Sequence, residues 1–334
     1  MGTILVFGGA GFIGSNFIRR TLLKYPAARV VCFDALTYAG NKDNLKDLPP
    51  KRFVFVKGDI TDAKAVDRVF KKYRPTYVVN FAAESHVDRS IHGGARDFMC
   101  TNVEGATVLF AAAVAAKVKK FLHVSTDEVY GALPLKGGKL FSENSPLRPN
   151  SPYAASKAAS DLVARSFFKT YGLPVVTTRC SNNYGPYQYP EKLIPYSVSR
   201  LLAGKPVAIY GDGLYVRDWI HVEDHCDALL LAMSKGKPGE VYNIGADDEV
   251  SNITLIRLML EYFKKDDSAL AYVKDRPGHD RRYAIDARKI RKELGWKPRH
   301  TLKRSLKPTV AWYVSNAQWV KRALARSGPS NKHI

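Results

Sequence analysis

The stretch that decides the fold is Thr3-Ile4-Leu5-Val6-Phe7-Gly8-Gly9-Ala10-Gly11-Phe12-Ile13-Gly14. The first five residues read as a buried strand, and the glycines break it just before a helical pattern over Ile13–Tyr25. Gly8, Gly11 and Gly14 stand three residues apart. That spacing permits a tight turn and brings a pyrophosphate to a helix N-terminus, where free N–H groups and the dipole favour an anion. Asp34 ends the next strand-like run. A carboxylate there accepts hydrogen bonds from ribose hydroxyls and repels a 2′-phosphate, so NAD is expected over NADP. A chance glycine turn and a solvated loop aspartate are the plainer alternatives, and the strand–turn–helix placement counts against both.

Outward from that loop, short apolar runs alternate with amphipathic ones. Strands are predicted at Thr3–Phe7, Arg29–Phe33, Phe53–Lys57, Tyr77–Phe81, Phe121–Ser125 and Pro174–Arg179. Helices are predicted at Ile13–Tyr25, Ala63–Tyr73, Ala95–Ala116 and Tyr153–Tyr171. This is the rhythm of parallel βαβ units, and six such strands with right-handed crossovers make an α/β, doubly wound Rossmann sheet. Asp59 and Ile60 follow the third strand and Phe81, Ala82 and Ala83 the fourth, so both groups are expected in the same crevice. From about Asn182 the rhythm is lost. The expected division is a dinucleotide domain over 1–181 with returning elements at roughly 206–245, and a smaller, irregular substrate region over 182–205 and 246–320. A frayed tail is expected at 327–334.

Composition narrows the class. The 334 residues are 46% hydrophobic, enough for one large core or two smaller ones. No apolar run approaches the roughly 20 residues of a membrane span, and Met1 leads directly into a strand, so neither a span nor an export signal is expected. Cys32, Cys100, Cys180 and Cys226 are scattered without a CxxC pair; no metal, no disulfide framework and a cytoplasmic location are expected. The 52 basic against 31 acidic residues give a net charge of +21. These cations are spread along the chain without a zinc-finger or RNP signature, so a basic solvated surface is expected rather than nucleic-acid binding.

Two further stretches carry chemistry. Tyr153-Ala-Ala-Ser-Lys157 opens a helix after Ser151–Pro152, and positions i and i+4 share a face. An ammonium there is expected to lower the phenol's pKa and make it a base towards a hydroxyl. YxxxK also occurs by chance on core helices; behind a dinucleotide fold it points to the short-chain dehydrogenase/reductase superfamily. Ser125-Thr126-Asp127-Glu128-Val129-Tyr130-Gly131 leaves a strand at the ligand-binding edge of the sheet. Its paired carboxylates suit acid–base work, although alone they read equally as solvated loop residues.

STDEVYG resembles the signature of the dTDP-glucose 4,6-dehydratases, members of the extended short-chain dehydrogenase/reductase group. The resemblance runs over about residues 2–315 and includes GGAGFIGSNF (8–17), AAESHVDRS (82–90), YAASK (153–157), RCSNNYGPYQYPEKLIP (179–195), VRDWIHVEDH (216–225) and DRPGHDRRYAID (275–286). Related epimerases carry small or hydroxyl residues where Asp127 and Glu128 stand. Two departures are visible: Ala35 where the family usually has Lys, and a short Gly131–Phe141 segment.

The resemblance implies three steps. Tyr153, with Thr126 and Lys157, takes the proton of the sugar 4-hydroxyl as C4 gives hydride to NAD. Glu128 then removes the C5 proton while Asp127 protonates the leaving 6-hydroxyl, and hydride returns to C6. It assigns Gly8, Gly11, Phe12, Ile13, Gly14, Asp34, Ala35, Leu36, Thr37, Asp59, Ile60, Phe81, Ala82, Ala83, Ser85, Thr101, Tyr153, Lys157 and Asn183 to the cofactor. To the sugar nucleotide it assigns Ser85, Thr126, Asn182, Lys192, Leu193, Ala208, Tyr210, Arg217, Asn252, Arg276 and His279. Arg217 suits a diphosphate, and a surface ion pair with Asp218 or Glu223 is its plain alternative. His279 reads as ligand or buried structural histidine. The family implies a homodimer through helices near 95–116 and 153–171. A UDP-glucose 4,6-dehydratase, a UDP-glucose 4-epimerase and an inactive NAD-binding regulatory or nucleic-acid-binding protein remain as alternatives.

Overall fold

The computed structural model describes residues 2–325. Seven parallel strands form the main sheet: β1 (Thr3–Phe7), β2 (Arg29–Asp34), β3 (Phe53–Lys57), β4 (Tyr77–Asn80), β5 (Lys120–Thr126), β6 (Val175–Cys180) and, after three strands that lie elsewhere, β10 (Val241–Ile244). Their order is β10-β6-β5-β4-β1-β2-β3, so connections run outward both ways from β1. That reversal opens the crevice at the carboxyl ends of β1 and β4 where a doubly wound sheet takes its ligand. Period-2 alternation builds the layers: Ile4 and Val6 enter the core on one face of the sheet, Leu5 and Phe7 the core on the other.

The sequence reading gave six strands; the seventh, β10, has only four residues and is defined by pairing with β6. The remaining strands are β7 (Asn182–Tyr184), β8 (Val207–Tyr210), β9 (Val216–His221), β11 (Glu249–Ser251) and β12 (Leu270–Val273). β9 lies between β7 and β11, and β8 pairs with β12. Val207, Ile209 and Trp219 therefore pack in the smaller unit, whereas Ile220 at the end of β9 already enters the core of the main sheet, which the chain then follows through the helix Val222–Lys235 and β10. Conversely Ala287, Ile290, Leu294 and Trp296, expected in the substrate region, pack into the core beneath the main sheet. The smaller unit has its own core, with Ile194, Val198, Ile256, Met259, Val310 and Tyr313 buried together. The tail at 327–334 lies outside the described residues.

The helix expected at Ala95–Ala116 runs over Ala95–Ala115, with a π-helical turn at Cys100–Gly105. Contrary to the sequence reading, it is long and apolar enough, by length and composition alone, to cross a membrane. Arg96, Asp97 and Glu104 interrupt the apolar run in the sequence, which is why counting uninterrupted residues missed it. Here the helix lies against the sheet, with Phe98, Leu109, Phe110 and Ala113 buried.

Candidate active site

A cleft of about 370 Å³ opens at the carboxyl ends of the main strands. Its floor is the glycine loop. A Cβ on Gly8 would lie 2.4 Å from Ala82 N, and one on Gly14 would lie 2.4 Å from Gly8 O, so only glycine fits either place. The helix Phe12–Lys24 begins there with no side-chain cap and no acidic residue in its first turn, leaving its N–H groups for an anion. These features fit the pyrophosphate of a dinucleotide. Asp34 Oδ2 accepts from Ala10 N–H and Oδ1 from Leu36 N–H, both at 2.8 Å, so this carboxylate ties β2 to the glycine loop.

All the residues assigned to the cofactor line this cleft except Leu36, which holds a left-handed φ of 56° beside Asp34. Of those assigned to the sugar nucleotide, Ser85, Thr126, Asn182, Lys192 and Leu193 line it; Ala208, Tyr210, Arg217, Asn252, Arg276 and His279 stand outside it, on the smaller unit. The cleft also contains residues that the sequence reading did not single out, notably Tyr38, Glu84, Gln188, Glu191 and Trp219. Glu191 is the chain neighbour of Lys192. It is buried, with Oε2 3.7 Å from Arg89 Nε, and a carboxylate inside a long apolar–aromatic motif was the signal for it.

The paired carboxylates sit where β5 ends. Thr126 caps a single 3₁₀ turn over Asp127–Tyr130, its Oγ1 accepting from Glu128 N–H at 3.3 Å. Asp127 is fully buried; Glu128 keeps some exposure to the cleft. Burial, then the charges of Glu128 and Asp218, push Asp127 well above the usual carboxylate range. Burial also raises Glu128, but Arg276, Arg217 and Lys192 oppose the shift. Ser151 and Pro152 start the helix that carries Tyr153 and Lys157, with Ser151 Oγ accepting from Ala154 N–H at 3.1 Å.

The expected lowering of the tyrosine does not occur in the protein alone. Burial first, and then Glu128, push the Tyr153 phenol well up, while a hydrogen bond with Thr126 opposes them. Lys157 Nζ donates to Val124 O at 2.8 Å, and burial lowers its own pKa. Desolvation of a phenolate beside two carboxyl groups outweighs one nearby ammonium.

Arg217 is not a surface residue. It is 5% exposed, donates to the carbonyls of Val216 and Asp280 at 2.8 Å each, and lies 4.3 Å over the ring of Tyr283. Asp218 instead accepts from Ala246 and Asp248 N–H. Arg276 pairs with Asp88 at 2.9 Å. His279 stacks on Tyr215 at 3.6 Å and pairs with Asp275 at 2.8 Å; burial and Arg276 push it down to about 4, so it is neutral at pH 7. Asn252 Oδ1 is buried without a hydrogen-bond partner among the described residues. No metal was expected. His221, Glu223 and His300 do bring ligand-type atoms within 4.8 Å of one another, outside the cleft, with His300 Nδ1 held 2.9 Å from Asp224.

Comparison with known proteins agrees with this geometry. Residues 5–309 match the family model described as GDP-mannose 4,6 dehydratase. The dTDP-glucose 4,6-dehydratase of Xanthomonas campestris pv. campestris (strain B100) is 50% identical, over 97% of this chain and 96% of its own. The crystal structure of DesIV, the dTDP-glucose 4,6-dehydratase of Streptomyces venezuelae, has NAD and TYD bound. It superposes with a TM-score of 0.92 at 49% identity, covering 96% of this chain and 99% of its own. The Bacillus anthracis enzyme in complex with NAD superposes at 0.90 with 46% identity, over 97% and 100%. The chain belongs to the dTDP-glucose 4,6-dehydratases, within the family that the GDP-mannose 4,6 dehydratase model describes.

Proposed function

We propose that the protein is an NAD-dependent hydro-lyase converting dTDP-glucose to dTDP-4-keto-6-deoxy-glucose. The observation that carries this is the Asp127–Glu128 pair, Asp127 buried and Glu128 open to the cleft, set at the end of β5 in the same cleft as the glycine loop, Tyr153 and Lys157. An oxidoreductase that only moved hydride at C4 would need Tyr153 and Lys157 alone; loss of water across C5–C6 needs an acid and a base at adjacent carbons.

Bound NAD supplies the hydride acceptor at C4 and the hydride returned to C6. Tyr153 takes the 4-hydroxyl proton, with Thr126 hydrogen-bonded to the phenol and Lys157 one turn along the same helix. The new ketone acidifies C5–H, which Glu128 removes. Asp127, whose burial and negative neighbours favour its protonated form, gives its proton to the leaving 6-hydroxyl, and Glu128 then reprotonates C5. Arg217 and Arg276 are the cations proposed for the diphosphate, reached from the smaller unit as it meets the substrate, with His279 and Asn252 beside the nucleoside. We also propose a homodimer. Met99 and Leu162 are 41% and 58% exposed on the two helices that flank the sheet, an apolar surface suited to a second copy. Four unpaired cysteines, three of them buried, support a reducing cytoplasm.

The test is product formation from dTDP-, UDP-, GDP- and CDP-glucose. A 4-keto-6-deoxy sugar from dTDP-glucose is expected. A 4-epimer without loss of water would overturn the reading, and preference for UDP-glucose would move the nucleotide assignment.

A further inference from the structure

Among the polar groups buried beside the cleft, His225 has no part in the chemistry proposed above. It lies near the start of the helix Val222–Lys235, is 0% exposed, and its Nδ1 stands 2.8 Å from Asn183 Oδ1. Asn183 is on β7 and lines the cleft with Cys180, Ser181, Tyr153 and Lys157. Cys180 is near enough to Tyr153 to help raise its phenol, so this is the reactive end of the cleft. The bonds around Asn183 fix both side chains. Asn183 Nδ2 stands 3.0 Å from Ser181 O. A backbone carbonyl can only accept, so the amide nitrogen must face Ser181 and the amide oxygen must face His225. That oxygen can only accept in its turn. His225 therefore carries its hydrogen on Nδ1 and none on Nε2, which is buried without a hydrogen-bond partner among the described residues. Burial pushes the ring down to about 3, so it is neutral at pH 7. The backbone of Asn183 is anchored as well: Gln188 Nε2 donates to Asn183 O at 2.9 Å, and Gln188 N–H donates to the Tyr313 hydroxyl at 3.0 Å. One hydrogen of Asn183 Nδ2 remains, with Cys180 as its neighbour.

We infer that His225 is a positioning residue for the cofactor: as the Nδ1–H tautomer it holds the Asn183 amide with its spare N–H towards the nicotinamide, where that N–H meets the carbonyl of the carboxamide. The inference rests on the dehydratase reading above. In that reading hydride leaves C4 of the sugar and returns to C6 from the same ring, so the ring must keep one place through both transfers. The carboxamide oxygen is the hydrogen-bond acceptor that the ring offers. Without His225, Asn183 Oδ1 is an enclosed acceptor with no donor. The amide then turns to find another partner and takes its N–H with it.

The test uses the full-length protein and reads cofactor binding as well as turnover. Thionicotinamide adenine dinucleotide keeps the ring and its amine but puts sulfur, a weaker acceptor, in place of the carboxamide oxygen. Wild type is expected to bind NAD about tenfold more tightly than this analogue, the scale of one hydrogen bond. His225→Leu should weaken NAD and bring the ratio close to one. His225→Asn, whose side-chain N–H stands where Nδ1 stood, should restore the ratio to within about threefold of wild type. His225→Gln carries its N–H one bond farther out and should behave as His225→Leu does. Single-turnover formation of enzyme-bound NADH from dTDP-glucose should slow by about tenfold in His225→Leu and recover in His225→Asn. The imidazole nitrogen NMR signals that disappear in His225→Asn should show Nδ1 protonated and Nε2 bare in the wild type. Equal ratios in wild type and His225→Leu, an Asn variant no better than the Leu variant, or a protonated Nε2 would each overturn the inference. Where His225→Leu does not fold, the contrast between His225→Asn and His225→Gln decides. A wild-type enzyme that makes no 4-keto product would instead refute the dehydratase reading, whatever the binding ratios.

Discussion

Replacing Glu128 by Gln separates the two halves of the proposed reaction, because the side chain keeps its size and loses only its charge and basicity. Removing a general base from a proton transfer costs on the order of 10²–10⁴ in rate, or about 3–5 kcal/mol at 1.36 kcal/mol per decade. That loss falls on elimination. The oxidation at C4 responds in the opposite sense. After burial, the charge of Glu128 is the largest influence raising the Tyr153 phenol, and it also raises Asp127. Neutralising it lowers the pKa of Tyr153, so the pH at which the 4-hydroxyl is oxidised moves down. Mixed with dTDP-glucose in stoichiometric amounts, Glu128→Gln should accumulate enzyme-bound NADH, seen by absorbance, and release very little 4-keto-6-deoxy product. The rise of NADH formation with pH should begin at lower pH than in wild type. Near-normal turnover would assign the C5 proton to another base. An unshifted pH profile would show that the charge of Glu128 does not reach Tyr153.

Other perturbations follow from particular contacts. Tyr153→Phe should form almost no bound NADH, a loss of roughly 100-fold or more in the oxidation step. Asp34→Ala should narrow the preference for NAD over NADP, read from binding titrations of the two cofactors; wild-type protein that binds both equally would remove Asp34 from that role. Leu162→Arg should weaken the proposed dimer, with light scattering giving a smaller mass at micromolar concentration than wild type; a monomeric wild type would refute the interface. Asp161 is buried between Arg179, at 2.8 Å, and His123, at 3.5 Å. Burial alone would push it up, but these partners hold it below the usual range. Its folded pKa is depressed, so its contribution is present above the unfolded value of about 3.9 and is lost as pH falls through the folded one. Asp161→Asn should cost about 3–5 kcal/mol near neutral pH, and the difference from wild type in denaturant titrations should shrink in acid.

Much of the fold was legible because burial follows a simple period. β1 to β6 each carry apolar residues for two cores, and Gly8 and Gly14 stand where any Cβ would collide. β10 was not legible: four residues gain their meaning only from the edge of β6. Spacing placed Tyr153 and Lys157 on one face, but it carries no measure of desolvation, so the sign of the tyrosine's shift was missed. The same limit applies to Arg217, whose sequence neighbours Asp218 and Glu223 suggested an ion pair that the fold does not make. The π turn at Cys100–Gly105 leaves no periodic trace, since TNVEG reads as ordinary helix. Its Asn102 bonds Glu84 and Ser156, 18 and 54 residues away.

Two carboxyl groups joined by one peptide bond would ordinarily titrate together, yet the proposed reaction needs one as acid and the other as base. The turn capped by Thr126 makes the distinction possible by pointing them into different surroundings. Asp127 is enclosed, with Glu128 and then Asp218 adding negative charge to the cost of burial, and these together favour its protonated form. Glu128 opens to the cleft, where Arg276, Arg217 and Lys192 favour its ionised form. Those three cations come from the segment after β12, from β9 and from the motif after β7, all within the smaller unit, whereas both carboxyl groups ride on β5 of the main sheet. In the proposed mechanism the division into acid and base therefore draws on residues of both units rather than on the STDEVYG turn alone. A substrate diphosphate drawing on Arg217 and Arg276 would take up part of that positive charge, raise Glu128 and bring its pKa nearer to the range in which it can both remove and return the C5 proton.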